Sequence, residues 1–205
     1  EKTHRQWYVN TQGQTYVVIP GPVEFTIGSP TTEKERAGGP TGQNETPVKR
    51  SIGRTVAIAK NLVTVEEFLK FRKDHDYNKP FSPKPSHPIN TVTWYDAVAY
   101  CNWLSEREGL TPIYEPNKDD EFAEGMKLKA NYLELDGYRL PTESEWEYAC
   151  RADSVTSRFY GETEELLGHY AWYTKNSQDR FMLAVGSLKP NDYGLFDIQG
   201  NALQW

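Results

Sequence analysis

The sequence predicts an α+β fold that is rich in irregular coil. Runs rich in β-branched residues come first, at residues 16–28 and 54–59. Segments with helix-start signals follow these runs, and the stretches 110–137 and 153–190 show little periodicity. Strands, then helices, then coil is the order of an α+β domain, whereas a parallel α/β sheet would alternate strands with helices.

The N-terminal part divides into a polar segment and a set of predicted strands. Residues 1–15 are rich in Gln and Thr, so we predict a linker or the tail of a preceding domain, with the folded domain over residues 16–205. Residues 16–19 and 23–28 flank a Pro-Gly pair and predict a hairpin. Residues 29–48 contain Pro, Gly, Thr and Glu in loose order and predict a surface loop.

Three helices are predicted from one shared start signal. In each, a Thr is followed three residues later by an acidic residue, which is the pattern of a capping box. The Thr–acid pairs are Thr64 with Glu67, Thr93 with Asp96, and Thr142 with Glu145. The predicted helices cover residues 65–73, 94–107 and 143–152.

The second and third predicted helices each place a Cys on an apolar face. In the second, apolar residues recur at the spacing of one helix face. They are Trp94, Ala97, Val98, Cys101 and Leu104. In the third, Trp146 and Cys150 lie four residues apart on one side. We therefore expect Cys101 and Cys150 to be buried, and the sequence leaves open whether they pair with each other.

Charge and hydropathy exclude several functional classes. The 205 residues include 23 basic and 29 acidic side chains, which give a net charge of -6. Nucleic acids and anionic membranes are bound by basic surfaces, so neither is an expected partner. No apolar run approaches the roughly 18–20 residues that span a bilayer, so we expect no membrane role.

Searches for standard catalytic and metal motifs find little. The sequence has no Gly-rich phosphate loop, no H-E-x-x-H motif and no G-x-S-x-G motif. The His residues are scattered and neither Cys lies in a C-x-x-C pair, so a usual zinc site is not supported. Glu143, Glu145 and Glu147 form an acidic cluster that acid/base chemistry could use. We favour a structural interpretation, because acidic residues in a first helical turn interact with the helix dipole.

The last 15 residues interleave oxygen-bearing side chains with Gly. Residues 191–205 read N-D-Y-G-L-F-D-I-Q-G-N-A-L-Q-W. A hard cation such as Ca²⁺ binds six to eight oxygens, many of them backbone carbonyls in tight turns. Composition alone leaves two interpretations open at this point, a calcium loop and an ordinary Asn/Asp/Gly turn.

Three longer segments, taken in order, resemble the formylglycine-generating enzyme, or sulfatase-modifying factor, family. They are residues 87–105, residues 138–151 with the run R-L-P-T-E-S-E-W-E-Y-A-C, and residues 191–205. Residues 23–29 and 63–68 match the N-terminal half of the family, so the resemblance covers residues 16–205. It implies a compact α+β variant of the C-type lectin fold, with little regular structure and calcium-tethered loops.

The resemblance also implies a reaction, but it gives Cys101 and Cys150 no part in it. Catalytic members use copper and O₂ to oxidise a Cys in a C-x-P-x-R motif of a sulfatase, and two Cys thiolates bind Cu(I). Those two cysteines follow the segment that ends here at Trp205, and we expect the chain to be cut at both ends. Copper is therefore expected only if the sequence beyond Trp205 supplies them. Cys101 and Cys150 match structural, disulfide-forming positions of the family.

The family's calcium site maps onto the last residues of the chain. The resemblance implies Asp197 and the carbonyls of Gly200 and Ala202 as ligands, with Gln204 in the place of the usual Glu. Because a lost carboxylate lowers the negative charge of the site, we expect calcium to bind weakly or not at all.

Two functional hypotheses follow from these observations. The first is an incomplete sulfatase-modifying-factor-type domain of a larger bacterial protein, which acts as a binding or regulatory module for a protein or peptide ligand. It would be attached to other domains, such as a kinase, and would lie in the bacterial cytoplasm, since no signal peptide is recognisable. The alternative is a fragment of a copper- and O₂-dependent oxidase that converts a sulfatase cysteine to formylglycine.

Overall fold

A computed structural model describes residues 6–29, 46–177 and 181–205. The predicted surface loop at 29–48 lies mostly outside the described residues. Its last residue already belongs to a strand, since β4 begins at Val48.

Most strands of the domain form two small antiparallel sheets. The first has three strands in the order β1-β2-β5, and the second pairs β3 with β4. Their bounds are β1 Gln6–Val9, β2 Thr15–Ile19, β3 Val23–Ile27, β4 Val48–Ile52 and β5 Val56–Ala59. Two further strands of two residues each, β6 Tyr114–Glu115 and β7 Lys127–Leu128, pair within the polar stretch between the second and third helices.

The predicted hairpin of residues 16–19 and 23–28 is wrong in its pairing, although both strands exist. Strand β2 pairs with β1 on one side and with β5 on the other. Since both of its edges are occupied, β3 pairs with β4 in the second sheet instead. The connecting turn packs closely on a distant segment, because a Cβ at Gly21 would lie 2.1 Å from the carbonyl oxygen of Arg54.

Part of the segment that we predicted as a linker forms a strand of the first sheet, β1. Strand β1 pairs with β2 in a register that places Tyr8 opposite Tyr16. After it, the backbone N–H of Thr11 donates to Glu108 at 2.9 Å, at the end of the second helix. A domain boundary at residue 15 stays a prediction, while residues 6–15 contact the rest of the domain directly.

The three helices predicted from capping boxes form where the sequence places them. They are α1 Val65–Phe71, α2 Trp94–Arg107 and α3 Glu143–Arg151, and each begins with a complete capping box. A short helix, α4 Leu167–Tyr170, follows a 3₁₀ turn at Glu164–Leu166. The α+β, coil-rich fold class is thus confirmed.

The described core consists of three clusters of buried side chains. The first joins the sheets to α3 and the chain end, and contains Val17, Ile19, Ile52, Tyr148, Ala149, Cys150, Leu195 and Ile198. The second surrounds α2 and contains Val98, Cys101, Ile113 and Tyr114. The third packs α1 on α2 and contains Phe68, Tyr100 and Leu104.

The predicted stripe of α2 is correct except at its start. Val98, Cys101 and Leu104 are buried, but Trp94 is 37% exposed. Trp94 is the first residue of α2, so its side chain lies at the edge of the core. Helical spacing correctly places Trp94 above Val98, but it does not show where the core ends.

Candidate functional site

The candidate site is the chain-end loop, residues 191–204, together with the aromatic residues beside it. Asn191 fixes the start of this loop against α3. Its side-chain amide donates to the carbonyl of Ala149 at 2.7 Å, and its side-chain oxygen accepts from the backbone N–H groups of Tyr193 and Leu195. A buried polar side chain with all these bonds made holds the loop in one conformation.

Asp197 is the buried carboxylate of the chain-end loop. It is 3% exposed, and its backbone has a left-handed φ of 55°. Its carboxylate accepts from the backbone N–H of Gly186 at 2.7 Å and from the side-chain amide of Asn201 at 3.3 Å. Burial raises the pKa of Asp197, while the bonds from Gly186 and Asn201 partly oppose that shift.

Two of the other predicted calcium ligands, Gly200 and Gln204, already accept hydrogen bonds through their oxygens. The carbonyl of Gly200 accepts from the backbone N–H of Ala202 at 2.8 Å. The side-chain amide of Gln204 donates to the carbonyl of Asp197 at 2.9 Å, and its oxygen accepts from the indole N–H of Trp146 at 3.3 Å. Because Gln204 brings a neutral amide that is already bonded, the loop fits a calcium ion poorly, and weak or absent calcium binding stays a prediction.

A search for other metal-binding groups gives no second candidate. Within residues 6–29, 46–177 and 181–205, no three His, Cys, Asp or Glu side chains are grouped so that they could hold an ion.

Gly200 has a separate structural role. A Cβ at this position would lie 2.5 Å from the carbonyl oxygen of Trp172, which accepts from the backbone N–H of Asn201 at 2.9 Å. A glycine therefore permits the close approach of the two backbone segments.

An aromatic surface lies beside the end of the loop, and sequence reasoning missed it. Its exposed aromatic members are Trp94, Tyr95 and Trp205, and Leu203, two residues before Trp205 in the chain, is fully exposed as well. The rings of Trp94 and Tyr95 meet edge to face with centroids 5.5 Å apart. Trp205, 59% exposed, is held at the start of α2 because its indole N–H donates to the carbonyl of Val92 at 2.9 Å.

Both cysteines are buried, as the sequence predicts, and both are free thiols in the structure. Burial raises the pKa of Cys101 to about 12 against the opposing charge of Arg139. Burial and the charge of Glu147 raise the pKa of Cys150 to about 11. The two thiols are thus neutral near pH 7 and belong to different core clusters, so they do not fit a shared Cu(I) site.

Glu145, from the acidic cluster, is at the centre of a buried ion network. Arg139 donates two bonds to its carboxylate, each of 2.7 Å, and Arg54 donates a third of 2.6 Å. Burial alone would raise the pKa of Glu145, but the bonds from Arg139 and Thr142 and the two Arg charges lower it to about 2. Such a group stays ionised at neutral pH, which supports a structural role over acid/base chemistry.

Comparison with known proteins identifies the family. A profile described as "Sulfatase-modifying factor enzyme 1-like domain" matches residues 3–205. The formylglycine-generating enzyme of Bos taurus is 31% identical over 188 residues, which are 85% of this chain and 41% of that protein. The chain belongs to the sulfatase-modifying factor family. The resemblance seen in the sequence is therefore confirmed.

Relatives of this sulfatase-modifying factor domain carry several names. A "Chaperone protein LppX" of Paenibacillus barcinonensis is 31% identical over 141 residues, 58% of this chain and 50% of that protein. A serine/threonine-protein kinase, pkn1, of Chlamydia pneumoniae is 25% identical over 186 residues, 80% of this chain and 24% of the kinase. The domain spans half or less of the length of these curated relatives.

Solved structures confirm the fold of the sulfatase-modifying factor domain. Treponema denticola variable protein 1 matches all of this chain and 76% of its own, with a TM-score of 0.80 and 27% identity. PvdO of Pseudomonas aeruginosa also matches the whole chain and 75% of its own, with a TM-score of 0.70 and 22% identity, which shows the fold alone. Among the described residues, no helix is both long and apolar enough to cross a membrane.

Proposed function

We propose that this domain is a binding or regulatory module that takes a protein or peptide ligand on the aromatic surface of Trp94, Tyr95, Leu203 and Trp205. The observation that carries this proposal is the exposure of Trp94 and Tyr95 at the capped start of α2, beside the chain-end loop. Trp and Tyr are enriched at the centres of protein interfaces, because they bury much area at a low entropic cost.

The positions of these side chains favour binding over chemistry. Trp94 and Tyr95 begin a capped helix, and Trp205 is tied to the backbone of Val92. A surface fixed in this way loses little freedom when a ligand binds. The described thiols are buried and neutral, so the described residues supply no reactive thiolate beside the surface.

The names of two relatives support a binding module that is part of a larger protein. One is named a chaperone, a class of protein that binds polypeptides, and the other is a kinase of which the match spans 24%. We extend the proposal to a domain of a larger bacterial protein, located in the cytoplasm.

The alternative is a copper- and O₂-dependent oxidase that converts a sulfatase cysteine to formylglycine. It is favoured by the 31% identity to the Bos taurus enzyme over 85% of this chain. An assay of the full-length protein distinguishes the two functions. The protein is loaded with Cu(I) and supplied with O₂ and a C-x-P-x-R peptide, and the peptide is then analysed by mass spectrometry. Formylglycine in the peptide would establish the oxidase function and refute the proposal of a non-catalytic module.

Binding is tested with a permanently unfolded polypeptide, reduced and carboxymethylated α-lactalbumin, as the probe. We expect Trp94→Ser and Trp205→Ser each to weaken binding about tenfold, which corresponds to about 1.4 kcal/mol. Trp7→Ser is the matched control, because Trp7 is an exposed tryptophan on strand β1, outside the aromatic surface. Equal binding by all four proteins would show that the aromatic surface is not the binding site.

A further inference from the structure

Residues 181–187 form a strap that joins two parts of the domain. On one side the strap pairs with the loop at residues 81–88. The backbone N–H of Met182 donates to the carbonyl of Phe81 at 2.9 Å, and that of Val185 donates to Ser86 at 3.0 Å. These two bonds hold the strap along the loop.

On its other side the strap contacts the chain-end loop. The backbone of Leu183 exchanges two bonds with the side-chain amide of Asn201, at 2.8 and 3.0 Å. The N–H of Gly186 donates to Asp197 at 2.7 Å. The strap therefore contacts both the loop 81–88 and the chain-end loop.

His87 lies buried at the contact between the strap and the loop 81–88. It is 5% exposed, and its ring hydrogen-bonds the backbone of Met182 in the strap. Its Nδ1 atom is closed off from solvent and has no hydrogen-bond partner among the described residues. Ser82, which is fully buried, uses its own hydroxyl to donate to the carbonyl of Pro88 at 2.6 Å.

The two protonation states of His87 differ in what this site must accept. A neutral imidazole has one N–H donor, whereas the imidazolium has two. The carbonyl of Met182 satisfies one donor, and a proton on Nδ1 would be a buried donor without an acceptor, carrying a full charge. The strap has no ionisable side chain, and those of the loop 81–88 are Lys84 and His87 itself. The start of α1 also packs on this loop, because the backbone N–H of Val65 donates to the carbonyl of His87 at 2.9 Å. Its acidic residues are Glu66, which is exposed, and Glu67, whose carboxylate accepts from Thr64.

We propose that His87 is a pH-sensitive latch, whose protonation releases the strap 181–187 from the loop 81–88. Separation of the strap from the loop would expose the ring to water, which would supply the partner that Nδ1 lacks. Release also frees the far side of the strap, where Leu183 and Gly186 hold Asn201 and Asp197.

Electrostatics give the direction of the effect. Burial first, and then the charge of Lys84, lower the pKa of His87, while its bond to Met182 opposes them. A His that is buried in the neutral form stabilises the closed state above its free pKa of about 6.5, and that stability is lost as the pH falls below this value. The strap is thus closed at neutral pH and opens under mild acid.

Amide hydrogen exchange and NMR titration of the whole chain test the latch. We expect the His87 ring to titrate below about 6.5. Protection of the Met182 and Val185 amides, corrected for intrinsic exchange, should fall by up to about tenfold per pH unit below about 6.5, until the pKa of the closed state is reached. The amide of Leu104 in α2 should keep its protection over the same range.

Two variants complete the test. His87→Gln cannot be protonated, so its strap amides should keep one level of protection from pH 7.5 to 5, whereas His75→Gln should behave as the wild type. The latch is refuted if His87 titrates at or above about 6.5. It is also refuted if wild-type strap protection is independent of pH, or if His87→Gln retains the wild-type pH dependence. The wild-type titration decides the matter even if the His87 variant fails to fold.

Discussion

Glu145 and Arg139 meet in a two-bonded ion pair beneath the first turn of α3, with both N···O distances at 2.7 Å. Arg54, from the turn between β4 and β5, adds a bond of 2.6 Å. The backbone N–H of Thr142 donates to the same carboxylate at 2.9 Å. The motif R-L-P-T-E-S-E-W thus connects the second sheet, α3 and the segment before it through one buried carboxylate, which is 3% exposed.

The first prediction concerns the loss of this carboxylate charge. Glu145→Gln should lower the free energy of unfolding by about 3 kcal/mol, because it leaves two Arg side chains without their shared partner. Glu143→Gln is the control, since Glu143 is exposed in the same helical turn and should change stability by less than about 0.5 kcal/mol. Urea unfolding measures both. Equal effects of the two substitutions would contradict the assigned role of Glu145.

The second prediction is the pH dependence of the same pair. Because the folded-state pKa of Glu145 is lowered to about 2, its contribution is present above the unfolded value of about 4.3 and is lost as the pH falls towards 2. The difference in unfolding free energy between wild type and Glu145→Gln should therefore shrink between pH 4.5 and pH 2. A difference that stays constant over this range would show that Glu145 is not ionised in the folded state.

The third prediction concerns thiol reactivity. Cys101 and Cys150 should react with a disulfide reagent at pH 7.5 only about as fast as the protein opens, because both thiols are buried. Burial also raises the pKa of Cys101 to about 12 and that of Cys150 to about 11, so little thiolate is present. In urea both should react at the rate of free cysteine. Cys101→Ala and Cys150→Ala assign the two signals. Rapid reaction of either thiol in the folded protein would make it a candidate for redox chemistry.

The fourth prediction concerns calcium at Gln204. In Gln204→Glu the new carboxylate cannot donate to the carbonyl of Asp197, as the amide does at 2.9 Å, so Tm should fall by a few degrees without calcium. Calcium should restore the lost Tm, because the variant regains the carboxylate of the family's site. Gln204→Ala serves as the control and should show the fall without the rescue. Wild-type calcium binding tighter than about millimolar, measured by titration calorimetry, would contradict the expectation of a weakened site.

Local signals in the sequence predicted the helices well. A capping box acts within four residues, so Thr64, Thr93 and Thr142 begin their helices whatever the rest of the chain does. The apolar spacing of α2 also predicted the burial of Cys101 and Leu104.

Long-range contacts were not predictable in the same way. The strand pairing of residues 16–28 was wrong, because it depends on β5 and β1 meeting β2 from both sides. The dipole interpretation of Glu145 missed its partner Arg54, 91 residues away along the chain. The exposure of Trp94 depends on where the core ends, and the aromatic surface depends on Trp205 reaching Val92 across 113 residues.

The sequence by itself determined the family, the fold class and the starts of α1, α2 and α3, because motif identity and capping act over short stretches of chain. Only the tertiary structure decided which strands pair, which charges are buried together and which aromatic side chains face solvent. It also placed His87 beneath the strap and surrounded Asp197 with donors from Gly186 and Asn201. These features depend on contacts between segments that are distant in the sequence. The stability of such contacts depends on the packing of the whole domain.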